Sequence, residues 1–306
     1  MQKNKPLVSV IMNCYNSDTY LKEAIESVLS QTHQNFEIIF WDNQSTDKSA
    51  QIVKSYEDGR IKYFYAPTHT TLGEGRNRAL EHVSGEFISF LDCDDWWEAN
   101  KIEETLKYFS KNTIGIVHTN GNQFFQQSNK YKKFHSSKQP TGSIFEELIA
   151  NYNIALMSAM FRKQVLETLS YCFDNRFSMI EEFDFFVRIS KNWEINYCEK
   201  ELCFWRAHSA SLTWTKKEKV QEEYEQFLKC ILKENPELKD HNCVRRVEAK
   251  IAYHKFFNEW NRTKIARRDF LLPYLLVDKR LILIYILSFL SFKNFNKILK
   301  LVGKSV

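Results

Sequence analysis

The chain has 306 residues, of which 43% are hydrophobic and 26% charged, with 24 Phe but only 8 Gly and 5 Pro. This composition supplies a core, excludes wholesale disorder and collagenous or low-complexity sequence, and at this length allows one large α/β domain plus something smaller. The net charge of +5 is unevenly divided: residues 1–215 hold 23 Lys+Arg against 27 Asp+Glu (net −4), and residues 216–306 hold 20 against 11 (net +9), so the tail faces an anionic partner, nucleic acid or membrane, or carries solvated helix faces.

In chain order, Leu7–Met12 is a short, β-branched-rich apolar run, and Leu21, Ala24, Ile25, Val28 and Leu29 follow at helical spacing, so a strand leads into a helix. No long apolar stretch precedes that strand, and no signal peptide is expected. Phe36–Trp41 reads as a second strand, followed by the polar turn Asp42–Asp47 and a helix through Ile52 and Val53. Ile61–Tyr65 is a third, followed by a helix ending near Gly85. Phe87–Leu91 is a fourth, running into Asp92-Cys93-Asp94-Asp95 and a helix from about Glu98. Such alternation predicts a mostly parallel sheet covered on both faces. Ile114–His118 is apolar, residues 120–143 read as polar and turn-rich, Ser143–Tyr152 is helix-like, and Ile154–Arg162 is a candidate returning strand. From Lys216 onward charged helical sequence dominates, which places a boundary near Trp214, between residues 1–214 and 215–306. The seven cysteines include no C-x-x-C pair, so neither a disulfide framework nor a zinc site is indicated, and a cytoplasmic location is expected.

Asn13, Asp42 and Asp92 each fall at the carboxyl end of an apolar strand, the edge of a parallel sheet where ligands bind. Each alone is also a residue favoured at helix N-caps, but capping does not account for three carboxylates within Asp92–Asp95. Asp92 and Asp94, one residue apart, offer hard oxygen ligands that suit Mg²⁺ or Mn²⁺, whose remaining positions are commonly filled by phosphate oxygens and water. A diphosphate is the expected partner.

Four ordered segments carry a resemblance to a known family. They are the opening PLVSVIMNCYNSDTYLKEAIESVLSQTHQNFEIIFWDNQSTDKSAQIV, the stretch GEGRNRALEHVSGEFISFLDCDDWW, IEEFDFFVRIS and FWRAHSASLT. Together they resemble the inverting family 2 glycosyltransferases over roughly residues 6–214. The resemblance implies a Rossmann-like GT-A fold and a nucleotide-diphospho-sugar donor. It implies that Asp42 accepts the N3–H of uracil, that Arg76 of the Arg76-Asn77 pair stacks on the base or offsets diphosphate charge, that Asp92 contacts the ribose and that Asp94 binds the metal. The family's E-D motif corresponds to Glu181-Glu182, so Glu182, one methylene longer than the usual Asp, takes the place of the general base, with Glu181 and Asp184 as rival acids. Arg206 matches a basic segment that closes over the diphosphate, and His208 either completes the metal shell or is a satisfied histidine.

In the tail, Phe270–Phe292 is strongly apolar but interrupted by Asp278-Lys279-Arg280, and Leu281–Phe292, only about 18 Å long as a helix, does not span about 30 Å of hydrocarbon. With Lys293, Lys297 and Lys300 following, the segment 270–302 is expected either to lie in the plane of an anionic leaflet or to pack on protein. The sequence therefore predicts a cytoplasmic, peripherally membrane-associated, Mn²⁺- or Mg²⁺-dependent enzyme. It would move a hexosyl or N-acetylhexosaminyl group from a UDP-sugar to a glycan or lipid-linked acceptor in bacterial surface polysaccharide, lipooligosaccharide or protein-glycan assembly, with no nucleic acid partner. A metal-dependent nucleotidyltransferase and a non-catalytic sugar-nucleotide or glycan-binding protein are the competing classes.

Overall fold

A computed structural model of the chain describes residues 5–208 and 218–301. The first four strands are β1 (Val8–Cys14), β2 (Phe36–Asp42), β3 (Ile61–Tyr65) and β4 (Phe87–Phe90), joined by α1 (Leu21–Leu29), α2 (Ser49–Lys54) and α3 (Leu72–Leu80). They pair in parallel in the order β3-β2-β1-β4. Both faces of β1, β2 and β4 are covered, so apolar residues run through them almost without interruption, whereas the edge strand β3 leaves Lys62 and Tyr65 exposed. Val8, Val10 and Met12 of β1 with Phe36, Ile38 and Phe40 of β2 share a core with Leu21, Ala24, Ile25 and Val28 of α1. On the opposite face the Trp41 ring stacks near His82, just past α3.

The sheet continues beyond β4 with β8 (Ala159–Arg162), β6 (Ile114–Phe125), β9 (Glu194–Ala207) and the two-residue β5 (Trp96–Trp97), while β7 (Lys130–Lys133) hairpins onto β6. Residues 120–143, read from sequence as turn-rich, thus contain the end of a 12-residue strand and its partner. The returning strand begins only at Ala159, after a 3-10 turn at Leu156–Ser158, and is antiparallel to both β4 and β6. β6 and β9 run parallel, with register shifts around Asn120 and Gly121. A Cβ on Gly121 would lie 2.4 Å from the Cys203 carbonyl oxygen, so only glycine permits this approach. Helices α4 (Lys101–Leu106) and α6 (Glu181–Ser190) complete this part, α6 beginning with the acidic pair singled out in the sequence, while α5 (Phe145–Ala150) belongs, but for Phe145, to the second of the chain's two compact units.

The chain divides into two compact units, Met1–Phe145 with Asn153–Ser211, and Glu146–Tyr152 with Leu212–Val306. The second is helical: α7 (Lys219–Glu234) packs on α8 (Asn242–Thr263), and α9 (Arg280–Leu287) and α10 (Phe292–Leu301) follow. Its small core gathers Phe256, Phe257, Trp260, Leu271, Leu281 and Phe295. Among the described residues no helix is long and apolar enough to cross a membrane.

Candidate active site

The parallel strands end at one edge, and there the site is assembled. The centre is Arg76, on the first turns of α3. Its side chain is 2% exposed, a burial tolerated only because anions surround the guanidinium. Nη1 donates to Glu181 Oε1 at 3.1 Å, and Nη2 lies 3.5 Å from Asp92 Oδ1 and 3.6 Å from Glu182 Oε1. The face of the guanidinium lies over the Phe173 ring, 5.4 Å from its centroid. Asn77, the next residue, accepts from the Phe173 backbone N–H at 2.8 Å and donates to the Phe173 carbonyl at 2.9 Å. One turn of α3 thus fixes the acids at the start of α6 through Arg76 and the approach to α6 through Asn77.

The three acids of α6 are placed differently. Glu181 is 6% exposed and hydrogen-bonded to Arg76, and Asp184 forms an ion pair with Arg188, with oxygen–nitrogen distances of 2.7 and 2.9 Å. Arg188 in turn donates to the Tyr171 and Cys172 carbonyls, so Asp184 is committed to holding this segment. Glu182 is the acid most open to solvent, with a side chain 30% exposed. The protein packed around it, together with the charges of Glu181 and Asp92, raises its carboxyl pKa to about 7 against the opposing pull of Arg76. A carboxylate that is reachable and poised near neutrality has the properties a general base requires.

A second cluster follows Asp92 in the acidic turn. Asp94 Oδ2 is 2.9 Å from His208 Nε2, and both side chains are partly exposed. Asp95 is buried and accepts the Arg206 backbone N–H at 2.8 Å, while Arg206 Nε donates to the Asp94 carbonyl at 2.9 Å. The Arg206 guanidinium, 8% exposed, also pairs with Glu23 and is sandwiched between the rings of Tyr20 and Trp96. Its visible bonds clamp the acidic turn from beneath. Burial pushes the carboxyl pKa of Asp92 above its usual range and that of Asp95 well above, and in both cases the neighbouring carboxylates add to the effect. Arg76 and Arg206 offset this only in part. A site short of positive charge, offering an aspartate oxygen and an imidazole nitrogen, fits a divalent cation of the Mn²⁺ or Mg²⁺ kind held by Asp94 and His208.

The remaining predicted residues lie on β1 and β2. Asp42 is fully buried, and each of its oxygens already accepts a hydrogen bond, Oδ1 from the Ser45 backbone N–H at 2.7 Å and Oδ2 from the Tyr63 hydroxyl at 2.7 Å. It organises the turn after β2, and a ligand reaches it only through a remaining lone pair. Both polar atoms of the Asn13 amide are buried without a hydrogen-bond partner, as are Trp41 Nε1 and Arg76 Nε. Asn13 and Trp41 are register partners, and a Cβ at Gly75 would meet Asn13 Nδ2 at 3.3 Å and Trp41 Nε1 at 3.6 Å. Trp41, Glu23 and Asn43 were not singled out in the sequence, and Asn77 stood there only as the second member of the Arg76-Asn77 pair. Asn43 pins the loop after β3 through its contacts with Thr70. For Asn77 the signal was its place beside Arg76. For Glu23, an acid on an exposed helical position, there was none.

With this geometry established, comparisons with known proteins place the chain. The model for "Glycosyl transferase family 2" matches residues 9–170. The Escherichia coli protein WfgD, named a UDP-Glc:alpha-D-GlcNAc-diphosphoundecaprenol beta-1,3-glucosyltransferase, is 30% identical over 190 residues, 62% of this chain and 72% of its own. Bacillus subtilis TuaG, a putative teichuronic acid biosynthesis glycosyltransferase, is 32% identical over 162 residues, 52% of this chain and 64% of its own. Among solved structures, Staphylococcus aureus TarS 1-349 in complex with UDP-GlcNAc superposes with a TM-score of 0.64 at 19% identity, covering 90% of this chain and 82% of that one, whereas the match spans only 50% of a longer TarS chain. The mannosyltransferase PcManGT of Pyrobaculum calidifontis with GDP-Man and Mn²⁺ gives 0.63 at 14% identity, covering 93% of this chain and 84% of that one. These superpositions establish the GT-A fold, and the sequence matches establish the family: the chain belongs to glycosyl transferase family 2.

Proposed function

We propose that the protein is an inverting, divalent-metal-dependent glycosyltransferase that moves a sugar from a UDP-sugar to a glycan or lipid-linked acceptor, working in peripheral contact with a membrane. The observation that carries this reading is that two clusters meet at Asp92: a partly exposed Glu182, with a carboxyl pKa near 7, that shares the Arg76 guanidinium with Asp92, and the Asp94–His208 pair two residues further along the acidic turn. A base and a charge sink on opposite sides of a bound sugar are what a single displacement requires. Glu182 takes the proton of the acceptor hydroxyl, whose oxygen attacks the anomeric carbon from the face away from the nucleotide. Arg76 holds Glu181 and Glu182 on the site and adds positive charge beside Asp92. Asp94 and His208 would hold the metal, which when bound offsets the charge on the departing diphosphate. Asn13 offers unsatisfied amide atoms for the donor, and Arg206 keeps the Asp94–Asp95 turn in place. The name of WfgD, a transferase acting on a diphosphoundecaprenol-linked sugar, supports a lipid-linked acceptor here.

The test is a panel of UDP-sugars and GDP-mannose with Mn²⁺ or Mg²⁺, scored by metal-dependent protection against thermal unfolding and by the nucleotide released. UDP release from one UDP-sugar is expected. Pyrophosphate release from a nucleoside triphosphate and sugar phosphate would make the protein a nucleotidyltransferase, and donor binding without hydrolysis or transfer to any acceptor would make it a binding protein.

A further inference from the structure

The helical second unit contains a cavity of about 450 Å³ at the junction of α8, α9 and α10, and nothing in the transfer reaction uses it. Three cationic side chains and no acidic one line it: Lys264, Arg268 and Lys293. Lys264 caps α8 in a left-handed conformation (φ 62°), which turns the chain back over the cavity. Arg268 is fixed on the wall, its Nε donating to Ser288 Oγ at 2.9 Å and Nη2 to the Ser288 carbonyl at 2.6 Å, which leaves Nη1 to donate elsewhere. Lys293 belongs to the first turn of α10, the positive end of the helix dipole. The nearby carboxylates are already engaged, Glu259 by Arg262 at 2.8 Å and Asp269 by Arg267 at 2.9 Å. None of the three cavity cations is ion-paired among the described residues. The site therefore presents concentrated, uncompensated positive charge in a concave setting of ligand-pocket size.

What borders the cavity identifies the ligand. Helix α9 buries Leu281 in the core of the unit but turns Leu283 and Ile286 outward, 60% and 58% exposed, and Phe289 and Leu290 follow at 66% and 39%. Ile282, Leu283 and Ile286 are the exposed apolar residues of α9, and Phe289 and Leu290 continue the exposed apolar run in the turn that follows it. Leu290 also lines the cavity, so the run leads directly into the cationic site. A run of this kind left in water marks an interaction surface. Apolar residues beside three cations lining one cavity match the two parts of an anionic phospholipid, acyl chain and headgroup. We propose that this cavity binds the phosphate headgroup of an anionic lipid and that the exposed apolar run inserts into the leaflet beside it. The proposal deepens the reading of peripheral membrane contact and names its site.

The test uses the full chain in flotation with vesicles of phosphatidylcholine alone or with about a third phosphatidylglycerol. Binding to the mixed vesicles, weakened but not abolished by salt, is expected. Lys264→Gln/Lys293→Gln, with an unchanged unfolding midpoint, is expected to bind those vesicles about tenfold more weakly and to lose the preference for them. Phe289→Ser is expected to weaken binding while keeping the preference. If the double variant keeps its preference, the assigned site is wrong while membrane contact stands. If the full chain ignores both vesicles, both readings fail. Inorganic phosphate bound as tightly as the vesicles would make the cavity a site for a free phosphate and overturn the lipid assignment. A dimer in sedimentation velocity that Phe289→Ser turns into monomer would show the run to be a self-association surface and overturn the proposal.

Discussion

Replacing Glu182 with Gln removes the proposed proton acceptor and leaves the shape, so it separates chemistry from binding. Loss of a general base slows turnover by roughly 10²–10⁴, or about 3–5 kcal/mol of barrier. Donor affinity should be nearly unchanged, because Arg76 keeps its closer contact with Glu181 at 3.1 Å when the 3.6 Å contact with Glu182 weakens. The carboxyl at about 7 adds a second signature. In the wild type kcat/KM should rise with pH through about 7, and at pH 6 only about a tenth of the molecules carry an ionised base. The Gln variant should lose that limb. Stability moves the opposite way. A glutamate whose folded pKa is raised binds more protons folded than unfolded between 4.5 and about 7, so the wild type loses stability as pH rises through that window. At pH 8 Glu182→Gln should therefore be more stable, by about 1–3 kcal/mol. Steady-state kinetics across pH 5.5–8.5, with urea denaturation at pH 5 and 8, check both effects. Unchanged turnover, or the same kinetic signature from Glu181→Gln with Glu182→Gln active, would refute the assignment of the base.

Asp94→Ala should abolish Mn²⁺- or Mg²⁺-dependent donor binding in titration calorimetry without lowering the unfolding midpoint, because Asp94 sits on the rim of the sheet; undiminished metal-dependent binding would remove it from the metal site. Asn77→Ala leaves the Phe173 N–H and C=O without their partners, and should lower stability by about 1–3 kcal/mol and turnover more than donor affinity, as read by denaturation and by kcat against KM. Lys101 is fully buried, its amine 3.3 Å from Ser89 Oγ and over the Trp97 ring, and burial depresses its pKa to about 7. Between that value and 10.5 only the unfolded chain binds the proton, so stability from this group rises with pH over the window. Lys101→Met should accordingly gain several kcal/mol, of order 3–4, at pH 7 and progressively less towards pH 10 in urea denaturation; an equal gain at both pH values would refute a charge-burial cause.

The first half of the fold was legible because β1, β2 and β4 are buried on both faces, and burial writes itself into sequence as apolar runs such as Ile38-Ile39-Phe40-Trp41. The β6–β7 hairpin was not, because β7 is Lys-Tyr-Lys-Lys, fully exposed at the edge of the sheet, and reads like a loop. The acidic turn at Asp92–Asp95 and the acids of α6 stood out as charge where apolar sequence was expected. Their connection did not, because Arg76 reaches Glu181 across 105 residues and only folding brings α3 to α6. Likewise the sequence offers Asp42 and Arg206 as ligand-binding groups, whereas in the fold Asp42 is engaged by Tyr63 and Ser45, and Arg206 by Glu23 and the Asp94 carbonyl. Residue type shows what a side chain is able to bind, and packing decides how much of it stays free.

The central claim is a single displacement at the anomeric carbon with Glu182 as base. Proton NMR of the disaccharide product, formed from an α-linked UDP-sugar and a soluble acceptor, tests it most directly. A β-linked product with UDP released is expected, and an α-linked product would rule out a single displacement.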